Sequence, residues 1–203
     1  MEAKRMGRMW AFIAVAALAA GTALGQEGDL VTNPSFEKRI SETDEGVGKM
    51  PVEWIRSTLS QEDKSNVPDS KSVLVKVAGG KTGDFAGKLV LDAGDKWMYA
   101  QTNIRPTEVL EAGDKFTCSV AVKAAQAARG DLYLEAWNSK ENKGCTVRKR
   151  FEAGAEWTTA EATLAITDAA TGLAGFRVVV QLYTPSVELL IDDVKVERAE
   201  GGG

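Results

Sequence analysis

Lys96-Trp97-Met98-Tyr99-Ala100-Gln101-Thr102-Asn103-Ile104-Arg105 alternates with a period of two. Successive side chains of a β-strand point to opposite faces, so residues two apart share a side. Met98, Ala100, Thr102 and Ile104 form the plainer set and read as core. Trp97, Tyr99, Gln101, Asn103 and Arg105 then point outward. Two further stretches obey the same rule: Leu132, Leu134 and Ala136 face in while Tyr133, Glu135 and Trp137 face out, and Phe176, Val178, Val180 and Leu182 face in while Arg177, Gln181 and Tyr183 face out.

Working outward from these stretches, the spacing predicts strands over 73–77, 86–92, 96–105, 115–123, 131–138, 145–151, 157–166, 175–183 and 187–197. Turn signals stand at Gly79-Gly80, Thr82-Gly83-Asp84, Ala93-Gly94-Asp95, Glu111-Ala112-Gly113-Asp114, Arg129-Gly130-Asp131 and Glu152-Ala153-Gly154. The Ala-rich Lys123-to-Ala128 stretch is the one predicted helix. Residues 38–72 are charged and irregular and read as a loop anchored by Trp54, itself expected in the core; no role is assigned to residues 38–70. Many short strands at this spacing predict an all-β antiparallel sandwich or jelly roll.

Outward strand positions are normally filled by Thr, Lys and Glu, so large aromatics there call for a reason. Trp97, Tyr99, Tyr133 and Trp137 are suited to stack on the C–H faces of pyranose rings. Gln101, Asn103, Glu135, Arg177 and Gln181 supply amide, carboxylate and guanidinium partners for sugar hydroxyls, with Arg105 as a further clamp. These nine are the candidate ligand-binding residues, Arg105 aside. The alternative is that Trp97 and Trp137 cover the sheet beneath long loops, and which strands share a sheet is left open.

Lys4, Arg5 and Arg8 precede an apolar run from Trp10 to Ala20, and Ala23-Leu24-Gly25 fits a signal-peptidase site, so residues 1–25 read as a signal peptide and 26–203 as one domain. Its removal takes three basic residues and one acidic residue, moving the formal charge from -4 to -6. An acidic exported chain without a basic stripe is ill suited to nucleic acid or to an anionic membrane. The expected setting is secreted, periplasmic or cell-envelope, as a monomer with no membrane insertion after cleavage. The absence of histidine removes the usual neutral-pH acid-base group. Cys118 and Cys145 either bridge or, as the alternation of Cys118 with Phe116, Val120 and Val122 allows, pack as small core residues.

Two short segments bracket the strands: Asn33-Pro34-Ser35-Phe36-Glu37 and Leu190-Ile191-Asp192-Asp193-Val194-Lys195-Val196. Together with Phe116-to-Lys123 and Trp157-Thr158-Thr159, they resemble the secreted carbohydrate-binding modules of the family-4 and family-9 kind, a galactose-binding-like jelly roll. The resemblance spans nearly the whole mature chain and implies a non-catalytic domain that docks on a polysaccharide or glycan. It marks Trp157 as structural. It also implies a structural Ca2+ between the first and last strands, held by Glu37 and by Asp192 or Asp193; the other reading of Asp192 is a hydrogen-bonded cap.

Three functions compete on these residues. A glycan-binding module leads; a structural or protein-interaction domain of the cell envelope on the same fold is the alternative. A glycan hydrolase or lyase would need two carboxylates across a cleft, and no catalytic motif is visible.

Overall fold

A computed structural model describes residues 35–41, 43–62, 65, 70–104, 109–138, 143–171 and 175–199. Residues 1–25, Asn33, Pro34 and Arg105 lie outside the described residues.

Ten strands are formed among the described residues: β1 (Trp54–Ser60), β2 (Val73–Ala78), β3 (Phe85–Val90), β4 (Asp95–Ile104), β5 (Lys115–Ala124), β6 (Ala128–Asn138), β7 (Lys143–Ala153), β8 (Thr158–Ala165), β9 (Gly175–Leu182) and β10 (Glu188–Arg198). They build two five-stranded sheets, ordered β1-β4-β9-β6-β7 and β2-β3-β10-β5-β8. Every strand pair is antiparallel. The all-β antiparallel sandwich, a jelly roll, is the fold.

The inward parities close on one core. Met98, Ala100, Ile104, Leu132, Leu134, Phe176, Val178, Val180 and Leu182 meet Leu89, Phe116, Val120, Leu189 and Ile191 from the other sheet, all buried. Phe116 and Phe176 cross between the sheets with centroids 4.6 Å apart. Such burial, at roughly 25 cal/mol per Å² of apolar surface, is the main source of stability in a sandwich.

The bracketing segments do meet. Phe36, at φ 59, is fully buried and stacks on Trp54 at 5.0 Å. Its ring lies over Gly87, where an added Cβ would stand 2.7 Å from the ring edge, so this strand position takes glycine because a ring occupies the side-chain space. Trp54 is 3% exposed, a core residue as expected.

Three expectations fail. The 38–72 region contains β1 rather than loop alone. The Lys123-to-Ala128 stretch is not helical: β5 runs to Ala124 and β6 begins at Ala128, leaving a tight three-residue connection, because sheet pairing outweighs alanine's helix preference. The single helical element described is a 3-10 turn at Asp168–Ala170. Finally, Arg129-Gly130-Asp131 lies within β6 rather than in a turn. Gly130 is there because the Phe151 ring and the backbone carbonyl of Gln181 together occupy the space a Cβ would need. Cys118 on β5 and Cys145 on β7 occupy different sheets and form no disulfide.

Candidate functional site

The question of which strands share a sheet has a simple outcome: β4, β9 and β6 are consecutive neighbours. Register then places the outward residues in rows across the first sheet. Tyr99, Gln181 and Asp131 form one row, Gln101, Val179 and Tyr133 the next, and Asn103, Arg177 and Glu135 a third. All nine candidate ligand-binding residues stand on this one outer face. β1 extends it with Ile55 opposite Gln101 and Leu59 opposite Trp97; β7 extends it with Arg150 opposite Asp131 and Arg148 opposite Tyr133.

Trp97, Tyr99, Gln101, Tyr133, Glu135, Arg177, Val179 and Gln181 line a groove of about 200 Å³. That is smaller than the roughly 300–1,000 Å³ of enclosed small-molecule sites, so a ligand would lie across it rather than inside it. Trp97 and Tyr99 stack with centroids 5.4 Å apart and planes 19° from parallel, making one continuous apolar wall. Val179, 8% exposed, is the floor. Asn103 lies beyond the lining and accepts a hydrogen bond from Gln101 Nε2 at 2.9 Å, which orients that amide. Trp137, 46% exposed, stands one row farther out. Its ring rests over Gly144 on β7, where a Cβ would approach it to 2.9 Å.

The opposite wall is polar and locked. Arg177 pairs with Glu135 through Oε2 by both Nε and Nη2. Tyr133 donates to Gln181 Oε1 at 2.8 Å. Asp131, fully buried, accepts from Tyr183 at 2.7 Å and from Arg148 Nε at 2.6 Å, with Arg150 Nε at 3.4 Å. Tyr183 has one proton, and the charged carboxylate is its stronger acceptor. Burial pushes the Asp131 carboxyl up, but the Tyr183 and Arg148 hydrogen bonds outweigh it and hold the group below its usual range. Burial, then the bonds to Tyr133 and Asp131, pushes the Tyr183 phenol well above its ordinary value, so it stays a neutral donor. The Asp131 hydrogen bond raises Arg148. Arg148 also lies over the Tyr133 ring, 5.5 Å from its centroid.

Asp131, Arg148, Arg150, Val179 and Ile55 were not among the candidates. Asp131 was hidden by the turn reading of Arg129-Gly130-Asp131; extending the Tyr133 and Glu135 alternation back by one step would have found it. Arg148 and Arg150 share a parity on β7 and needed only the strand's pairing partner.

Larger concavities lie elsewhere. One of about 680 Å³ opens along β7 and β8 and is lined mainly by Thr, Ala and charged residues, with Phe151 as its one aromatic. Another of about 580 Å³ lies over the second sheet beside Ser35 and Asp193 and has no aromatic lining. Neither offers a stacking surface; Trp157, half-buried, has Lys123 Nζ 6.0 Å from its ring.

Glu37, Asp192 and Asp193 converge on the loop between β2 and β3. Glu37 Oε1 accepts the backbone N–H groups of Asp84 at 2.9 Å and Phe85 at 3.0 Å. Asp192, fully buried, accepts those of Lys81 at 2.6 Å, Thr82 at 3.0 Å and Asp193 at 2.8 Å. Asp193 accepts from Ser35 and Thr82 and pairs with Lys81 Nζ at 3.2 Å. Burial pushes the Asp192 carboxyl up, against the pull of its three N–H partners. A calcium shell needs oxygen atoms facing the ion. Here the carboxylate oxygens face proton donors and an ammonium, and no group of three or more His, Cys, Asp or Glu among the described residues is placed to hold a metal. As placed, these residues do not fit a calcium shell; they clasp the chain ends to the loop.

No family model matches the sequence, and no curated protein matches it. Solved structures do. A TmCBM61 structure in complex with β-1,4-galactotriose aligns with a TM-score of 0.55 at 16% identity, covering 85% of this chain and 99% of that one. A CBM4 structure aligns at 0.55 and 18% identity, covering 83% and 99%. A Stig cyclase from Fischerella sp. TAU, solved with an indole compound, aligns at 0.58 and 14% identity, covering 84% and 96%. The chain therefore shares the jelly-roll fold of carbohydrate-binding modules, a fold that also carries an enzyme.

Proposed function

We propose that this chain is an exported, non-catalytic glycan-binding module that receives a polysaccharide chain on the outer face of β4, β9 and β6. One observation carries the reading: the stacked Trp97–Tyr99 pair faces Tyr133, Glu135, Arg177 and Gln181 across an open groove on a fold used by carbohydrate-binding modules. A pyranose has an apolar C–H face and a polar rim, and this groove offers an aromatic wall and fixed hydrogen-bonding groups. Binding without catalysis fits the site's chemistry, because Glu135 is tied to Arg177 and Asp131 is buried beneath Tyr183 and two arginines. Neither carboxylate is exposed as a pair across a cleft. Export is supported by the basic and apolar pattern of residues 4–20.

A pull-down on insoluble xylan, cellulose and chitin, with affinity electrophoresis in soluble galactans and glucans, tests this. Trp97→Ala is expected to weaken binding by about 1–3 kcal/mol, the range for loss of an aromatic anchor, which is roughly five- to a hundredfold. Retention of full affinity in both Trp97→Ala and Tyr133→Ala would place any ligand elsewhere.

A further inference from the structure

The groove's two sides differ in charge. On β1 and β4 the outward residues Ile55, Ser57, Leu59, Trp97, Tyr99, Gln101 and Asn103 are all uncharged. On β6, β7 and β9 the same face carries four arginines, Arg129, Arg148, Arg150 and Arg177, against three carboxylates, Asp131, Glu135 and Glu152. Arg177 is matched by Glu135, and Arg129 stands 3.6 Å from Glu152. Asp131 is shared: one buried carboxylate serves both Arg148 and Arg150, whose side chains are 49% and 70% exposed. One guanidinium charge is thus left over at the groove's edge, on a chain whose formal net charge is -4. Arg148 holds that charge against the Tyr133 ring, which lines the groove.

A surplus cation beside an aromatic platform has a chemical meaning. A neutral sugar gains nothing from it beyond a hydrogen bond. An anionic substituent gains a charge-assisted, fork-shaped partner, the geometry in which arginine meets carboxylates and sulfates. We propose that the groove takes an anionic glycan, with an acidic sugar seated on Tyr133 and its negative group received by Arg148 and Arg150. The inference rests on the glycan-binding reading of the same groove and names the substrate class.

The test compares polygalacturonate and a sulfated galactan with neutral β-1,4-galactan and β-1,4-xylan, using the full chain in low salt and in 0.5 M salt, where the Debye length falls to about 4 Å. The expected result is about tenfold tighter binding of an anionic polymer, the equivalent of one 1.4 kcal/mol contact, with the advantage lost in high salt. Whether uronate or sulfate is preferred identifies the source of the anion. Arg148→Gln removes a partner of a buried carboxylate and is liable to misfold. Arg150→Gln leaves Asp131 its bonds to Arg148 and Tyr183; it is expected to reduce the anionic advantage severalfold while neutral-glycan affinity stays constant. Equal or tighter binding of neutral glycans overturns the inference and leaves the glycan groove standing. Failure of every polymer to bind overturns both.

Discussion

Asp192→Ala removes the acceptor of three backbone N–H groups, those of Lys81, Thr82 and Asp193 at 2.6, 3.0 and 2.8 Å. Each lost hydrogen bond costs about 1 kcal/mol net, more where the donor stays out of water, so the variant should lose about 3 kcal/mol of folding stability. For a domain of this size that corresponds to a fall of about 6–12 °C in melting temperature. Asp192→Asn keeps one carbonyl oxygen but turns an amide N–H2 toward donors, so it should fall between wild type and alanine. Urea titration followed by circular dichroism, with wild type and both variants side by side, gives the three values. A loss under about 1 kcal/mol in the alanine variant would refute the clasp, because surface substitutions alone account for changes of that order. The same samples decide the metal question. The clasp predicts that Ca2+ and EDTA leave the wild-type transition unmoved; a Ca2+-dependent rise abolished by Asp192→Ala would show a ligand where the structure has a hydrogen-bonded cap.

Two further outcomes follow from the groove. The Asp131 carboxyl is held below its usual range, so its stabilisation is present above the unfolded value of about 3.9 and is lost as pH falls through the folded value; Asp131→Asn should flatten that part of the acid limb in a pH series of melting temperatures. Asp192, pushed up by burial, contributes with the opposite sign, stabilising below about 3.9 and losing this as pH rises, so a flattening seen in Asp131→Asn isolates the groove residue. Trp137→Ala removes the exposed ring one row beyond the groove and should weaken binding of long glycans more than short ones with the fold retained; equal loss for a trisaccharide would show that Trp137 is not an outlying contact.

Much of this architecture was legible because parity is a strong signal where a strand is buried on one side. Met98, Ala100 and Ile104, or Leu132 and Leu134, have no alternative placement that spares them from water. β1 escaped because its signs are reversed: Thr58 faces in and is 2% exposed, whereas Ile55 at 48% and half-buried Leu59 lie on the outer face of the sheet. On an edge strand flanking the proposed binding face, outward apolar residues fit that proposal. Arg129-Gly130-Asp131 misled for another reason. A glycine between charged residues reads as a turn, but here it accommodates Phe151 from the neighbouring strand, a contact that exists only after the sheet has formed. The site residues on β4, β6 and β9 could be picked one strand at a time; their convergence depends on the sheet order, which sequence spacing does not encode.

The most direct test of the central claim is a map of backbone amide chemical shifts in labelled protein titrated with an oligosaccharide that the pull-down identifies. The groove reading predicts that perturbations concentrate at 97–103, 131–137 and 175–183, with the Arg148 and Arg150 amides joining when the sugar is acidic. Perturbations centred instead on Lys115–Ala124 and Thr158–Ala165, the strands of the other sheet, would contradict it.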